Sequence, residues 1–269
     1  MTTFSSFDGH ISAGLSGGVL EVVLNRPDRK NSFTDQMVRD LTSIIENAEQ
    51  EIDVRVMHIR AVGSDFCSGF DLGERQASTS KPVVGSIQRR MESHVNRLIQ
   101  SMCSVQKPIV VTARGWVVGL GLGIVLAADF AIVERDATLW APFTGLGFTP
   151  DSGLSWLLPS RVGVARARRM LLLSEKVSGA LANEWGMVHD STSAEDLEET
   201  TRITVDQLAS AATIALGQTK KLLHRSMSAE LETQLSDEGW AMELSSRSID
   251  FKENITARRE KRTPQFKGQ

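Results

Sequence analysis

Pro108-Ile-Val-Val-Thr-Ala113, followed by Gly115-Trp-Val-Val-Gly-Leu-Gly-Leu-Gly-Ile-Val-Leu-Ala-Ala-Asp129, decides the fold class. The first run is apolar and β-branched, the composition of a buried strand. The second turns sharply at its glycines and enters an apolar helix. Residues 129–134 and 137–140 read as short strands beyond it. A strand, a tight turn, a helix and further strands in so short a span mark an α/β body.

Upstream, residues 10–15 and 18–24 alternate or run β-branched around Gly17-Gly18, which predicts a hairpin with a tight turn. Thr34 stands where an N-cap belongs, and Met37, Leu41, Ile44, Ile45 and Ala48 keep helical spacing after it. Residues 54–61 form another strand pattern, 75–85 a polar segment read as mobile, and 87–102 an amphipathic helix. Downstream, helices are expected at 151–158, 164–173 and 178–184. After residue 194 only long helical patterns remain, at 197–212, 214–227, 231–247 and 248–261. The expected organisation is therefore a core over 1–195 and a helical region over 196–269.

Composition narrows the function. The apolar fraction is 41%, the charged fraction 23% and the net charge −3, so no broad basic field exists to hold nucleic acid. No run approaches a membrane span, and the first residues lack both parts of a signal peptide. Cys67 and Cys103 have no metal-ligand spacing and fit a reducing cytoplasm. The five histidines are scattered, so no metal site is expected. Cys67 has no neighbouring His or Asn to activate it and reads as a small filler.

Two small-residue loops could meet a ligand through their backbone. Cys67-Ser68-Gly69 and Gly119-Leu120-Gly121 each follow a strand, and the second opens a helix whose first N–H groups lack intrahelical partners. Two such donors converging on one oxygen form an oxyanion hole, and a single donor of that kind is worth about 3–4 kcal/mol in the transition state. Ordinary tight turns are the alternative reading. The spacing at 119–123 lacks the tail of a dinucleotide fingerprint. Arg26, Arg29 and Lys30 offer either phosphate contacts or solvated charge. Within the apolar stretch 142–159 the only ionisable side chain is Asp151, placed as a helix N-cap or as a base that apolar surroundings would strengthen.

Taken together and in order, the loops at 24–32, 65–72 and 115–121 resemble those of the crotonase (enoyl-CoA hydratase/isomerase) superfamily. The resemblance covers roughly residues 10–195, and the helical tail is similar to that family's trimerisation region. It implies a spiral of ββα units, an acyl-CoA thioester as substrate with CoA entering only as part of it, no separate cofactor, and a cytoplasmic homotrimer or dimer of trimers. It places the oxyanion donors on the backbone of Ser68 and Leu120. It also implies acyl-CoA contacts from Arg26, Arg29, Ser68, Gly69, Phe70, Asp71, Leu72, Trp116, Gly119 and Leu120, with Phe143 and Trp156 walling the acyl pocket.

The two glutamates of typical hydratases fall on Gly123 and Phe143, neither of which moves a proton. Asp151 falls where isomerase-type members carry their single acid. Residues 146–159, Glu184-Trp-Gly-Met187 and Lys261-Arg-Thr-Pro-Gln-Phe266 resemble the ring-1,2-epoxyphenylacetyl-CoA isomerases, which also move Δ3 double bonds to Δ2. The dehalogenase partners would fall on Asn96 and Phe143. The resemblance thus implies an isomerase working through a thioester enolate. A hydratase or hydrolase of the same superfamily, and a non-catalytic acyl-CoA-binding protein, are the alternatives.

Overall fold

The computed structural model describes residues 3–5, 9–71, 73 and 83–269. Leu72 and most of the polar 75–85 segment lie outside these.

Strands β1 (Thr3–Ser5), β2 (Ile11–Ser16) and β3 (Val19–Leu24) are antiparallel neighbours. Ile11 pairs with Leu24 and Ser16 with Val19, so Gly17 and Gly18 form the whole turn. Their φ values of 57° and 84° are the left-handed conformation a two-residue hairpin turn requires. Helix α1 (Asp35–Gln50) starts as expected, its Met37 N–H donating to Thr34 Oγ1 at 3.1 Å. It buries Met37, Val38, Leu41, Ile44, Ile45 and Ala48 along one face.

Next come β4 (Val56–Ala61), α2 (Ser86–Met91), a π-helical turn over Glu92–Asn96, α3 (Arg97–Ser104) and β5 (Ile109–Ala113). They are followed by β6 (Trp116–Val118), α4 (Leu120–Ala127), β7 (Phe130–Glu134) and β8 (Thr138–Trp140). Helix α5 (Leu154–Leu172) is broken at Gly163 (φ 76°, ψ 161°), between the two helices that the sequence pattern separates. Strand β9 (Val177–Ser178), α6 (Gly179–Glu184) and β10 (Asp190–Thr192) complete the body. The main sheet has the order β1-β2-β3-β4-β5-β7-β10, parallel from β3 to β10, and β6-β8-β9 make a second, smaller sheet.

The parallel strands are covered on both faces, and their residues alternate between two cores. Met57, Ile59, Ile109, Val111 and Ala113 join the large core with α1, α3 and α4. Val56, Val110 and Ile132 face the other way, onto Leu197, Val205 and Leu208 of α7 (Leu197–Ser210). Each such buried aliphatic side chain contributes about 1.5–3 kcal/mol. On the same side, buried His58 Nε2 meets Thr112 Oγ1 at 2.8 Å, and Thr112 Oγ1 donates to Thr201 Oγ1 at 3.0 Å.

Helix α7 is therefore a layer of the body, although a separate helical region is expected from residue 196. The projecting helices are α8 (Thr213–Ser226), α9 (Leu231–Ser245) and α10 (Ile249–Glu260). Lys220 of α8 ties them back through Asp129, at 2.8 Å. Buried Asp250 accepts the Lys267 and Gly268 N–H groups at 2.6 and 2.8 Å. Arg55 Nη1 donates to Phe266 O at 2.7 Å, which brings the tail to the first hairpin.

Candidate active site

Residues 66–71 are stitched into the body from both sides. On one side Cys67 N donates to Trp116 O and Val118 N to Cys67 O, each at 2.9 Å. On the other, Phe33 N donates to Gly69 O and Asp71 N to Phe33 O, each at 2.8 Å. The stretch acts as a short parallel strand between Phe33 and Val117. Only glycine fits at Gly115, where a Cβ would lie 2.1 Å from Ser64 O.

The second loop packs on the first. At Gly119 (φ 54°, ψ −114°) the chain enters α4, and Gly119 N donates to Trp140 O at 3.0 Å. Leu120 opens the helix. The carbonyl four residues before it, Trp116 O, already accepts from Cys67, so the Leu120 N–H points out of the helix end. A Cβ on Gly121 would sit 2.7 Å from Cys67 Cβ, so the two loops touch there. Cys67 Sγ accepts the Gly69 N–H at 3.3 Å and also that of Gly121. Burial pushes its thiol up to about 12, which leaves it a neutral acceptor and not a nucleophile.

Ser68 does not take the expected donor role. Its N–H donates to Lys30 O at 3.0 Å and its hydroxyl to Arg29 O at 3.4 Å, so both are spent on the neighbouring turn. Phe70 has the geometry that Ser68 lacks. Because Phe33 bonds to residues 69 and 71, the N–H of Phe70 between them is directed away from Phe33. The edge away from Phe33 is the one paired with β6 through Cys67 and Val117, and a Cβ on Gly119 would lie 3.8 Å from Gly69 Cα. The pairing partner sets this parity, and it is 37 residues away in sequence.

Arg26 and Asp71 also depart from the expected ligand contacts. Arg26 Nη1 donates to Asp71 Oδ2 at 2.8 Å and to Ser32 O and Oγ at 3.0 and 3.1 Å, with both side chains largely buried. The pair clamps the 66–71 strand to the 26–32 loop. Arg29, by contrast, is exposed, and its guanidinium has no partner among the described residues. Lys30 lies 3.8 Å from Asp65 and 5.6 Å from the Trp116 ring centroid. Trp116 meets Trp140 at 6.0 Å, and the Lys176 ammonium lies over both rings. Neither Trp140 nor Lys176 was marked by the sequence, because β6 and β8 pair across some twenty residues.

Asp151 is half-buried and does not cap α5; the N-cap position belongs to Gly153. Two left-handed residues, Ser152 (φ 55°) and Gly153 (φ 71°), delay the helix start. The carboxylate Oδ1 instead accepts the Ser152 hydroxyl at 2.7 Å. This turn rests on α4 at Gly123, where a Cβ would lie 2.7 Å from Ser152 O and 2.8 Å from Ser152 Cβ. Gly123 is three residues past Leu120, on the same helix face. The Asp151 turn is therefore seated about one helical turn from the Leu120 N–H. Phe143 walls the same region: it is buried, edge-on to Phe148 at 5.5 Å, and 3.8 Å from a Cβ built on Gly119.

Trp156 faces elsewhere. It packs on His224 at 5.6 Å and lines a cavity of about 510 Å³ bounded by α4, α5, α7 and α8. That cavity includes none of Phe70, Leu120, Phe143 or Asp151, so Phe143 and Trp156 do not wall a shared pocket there. Among the described residues no helix is long and apolar enough to cross a membrane.

The sequence profile of enoyl-CoA hydratase/isomerase matches residues 14–269. The chain belongs to the enoyl-CoA hydratase/isomerase family. It is 34% identical to the 1,2-epoxyphenylacetyl-CoA isomerase of Escherichia coli, over 93% of this chain and 95% of that protein. It is 29% identical to the trans-2-decenoyl-[acyl-carrier-protein] isomerase of Streptococcus mutans, over 94% and 96%. A crystal structure of enoyl-CoA hydratase from Bacillus anthracis superposes with a TM-score of 0.89 at 27% identity, covering 97% of this chain and 100% of that one. The body and its helical extension thus form the crotonase fold, and an acyl-CoA thioester is the substrate class consistent with this enoyl-CoA hydratase/isomerase family member.

Proposed function

We propose that the protein is an acyl-CoA isomerase that shifts a double bond, or opens a ring epoxide, through a thioester enolate. The observation that carries this reading is the seat of Asp151. Its turn is packed against α4 at Gly123, while residues 123 and 143 offer no second acid. The thioester oxygen would lie between the N–H groups of Phe70 and Leu120, and these fixed donors stabilise the negative charge that develops on losing an α-proton. Asp151 takes that proton and returns it further along the allylic system. A 1,3-shift conserves protons, so one carboxylate completes the cycle, whereas hydration must also activate a water molecule. Buried Phe143 keeps the site dry. Exposed Arg29, with Lys30 beside it, would meet the CoA phosphates at the rim.

We propose further that the chain works as a homotrimer or dimer of trimers. Along α9 and α10, Leu231, Trp240, Met242 and Ile249 are each more than half exposed, and a second copy would cover them.

Incubating purified protein with a 3-enoyl-CoA tests the reaction. The expected result is the conjugated 2-enoyl-CoA, followed by its ultraviolet absorbance, and its loss in Asp151→Asn with acyl-CoA binding retained. Formation of 3-hydroxyacyl-CoA from a 2-enoyl-CoA would identify a hydratase. Binding without turnover of either substrate would identify a non-catalytic acyl-CoA-binding protein.

A further inference from the structure

We infer that Ser152 is a positioning residue that holds the Asp151 carboxylate in place for proton transfer, with Gly123 as its seat. The inference rests on the proposed role of Asp151 and adds a residue to it. Ser152 is 1% exposed. A hydroxyl taken so far from water must find a partner, and this one donates to Asp151 Oδ1 at 2.7 Å. The bond is charge-assisted when the carboxylate is ionised, so it is strongest in the form that accepts a proton. It also fixes the carboxylate torsion, so that the group receives a proton and gives it back from one orientation.

The backbone points the same way. Ser152 has φ 55° and is followed by Gly153 at 71°. Glycine is the residue suited to both positions, yet the first carries a serine despite the steric cost. Ile99 and Leu157 confine the turn as well, since a Cβ at Gly153 would lie 3.2 Å from each. Behind it, α4 offers Gly123, where any side chain would run into Ser152 O and Cβ. A side chain at position 123 therefore forces the Ser152 turn to move.

Ser152→Gly removes the hydroxyl and relaxes the left-handed backbone, so it separates positioning from folding. The expected result is a kcat on a 3-enoyl-CoA lower by roughly 10- to 100-fold, the range of one hydrogen bond to a charged group. KM should stay within about two-fold and Tm at or above wild type. Ser152→Ala should lose kcat similarly while keeping the strain. Wild-type kcat in Ser152→Gly, alongside an inactive Asp151→Asn, would overturn the role of Ser152 and leave that of Asp151 standing. Activity and Tm falling together in both serine variants would also overturn it, because that is the signature of a purely structural residue. Full activity in Asp151→Asn would overturn the single-carboxylate reading, and the role of Ser152 with it.

Discussion

Gly123→Ala gives the sharpest test of how the site is assembled, because two effects of opposite sign meet at one atom. Alanine inside a helix is favoured over glycine by about 0.5–1 kcal/mol, so on propensity alone the substitution should stabilise α4. The new methyl group would, however, lie 2.7 Å from Ser152 O and 2.8 Å from Ser152 Cβ. Carbon contacts are comfortable at about 3.5–4.0 Å. Neither obstacle is the tip of a flexible side chain, so the 151–153 turn itself has to move by several tenths of an ångström. Overpacking of this kind costs about 1–3 kcal/mol. The net effect is a loss centred on about 1 kcal/mol, or about 2–4 °C in Tm for a chain of this size. Since a misplacement of about 1 Å can cost 100-fold in rate, the shift at Asp151 should lower kcat at least about ten-fold. Calorimetry and the 3-enoyl-CoA assay read the two consequences separately. An unchanged or higher Tm with full kcat would refute the packing of Ser152 on α4. Gly123→Glu, which restores a hydratase-type glutamate, should for the same reason produce no hydration and a larger loss of stability.

Other outcomes follow from features outside that contact. Arg26→Ala leaves Asp71 without its 2.8 Å partner, and should lower the urea unfolding free energy by about 2–3 kcal/mol and raise KM more than it lowers kcat; unchanged stability would show that the clamp is idle. His58 and His189 are held below the ordinary imidazole value by burial, with the Arg161 charge adding to the effect on His189. The unfolded chain therefore takes up protons first, so stability is complete above pH about 6.5 and declines as pH falls below it. Urea titrations between pH 7.5 and 5 should show this slope, and His58→Gln should reduce it. Leu231→Ser with Trp240→Ser removes exposed apolar surface from α9, and light scattering after size exclusion should then report a smaller particle than wild type.

Legibility in the sequence followed the range of the interactions. The first hairpin and the start of α1 were readable because Gly17-Gly18 and Thr34 act on residues two or three positions away. The α/β body was readable because its parallel strands are apolar on both faces. Strand β6 was hidden: at three residues it reads as part of a glycine turn, and only its pairing with β8 makes it a strand. The start of α5 was hidden for a different reason. A serine in the left-handed region is a poor guess from sequence, yet Ser152 is what separates Asp151 from the helix cap. Ser68 and Phe70 differ by two residues in one loop. Which of them presents its N–H to the Gly119 side depends on Phe33, and local spacing carries no trace of that partner. Arg26 looked like a phosphate ligand because its anion, Asp71, lies 45 residues away.

The sulfur of Cys67 sits where the two backbone loops meet, taking an N–H from each side. It is fully buried, and its high thiol pKa leaves almost no thiolate near neutral pH. An alkylating reagent can therefore reach it only when the loops part. The rate of Cys67 modification, measured in a Cys103→Ser background, becomes a clock for local opening of the contact between the two loops. A bound acyl-CoA that draws both loops onto its carbonyl oxygen should slow that clock in proportion to its occupancy.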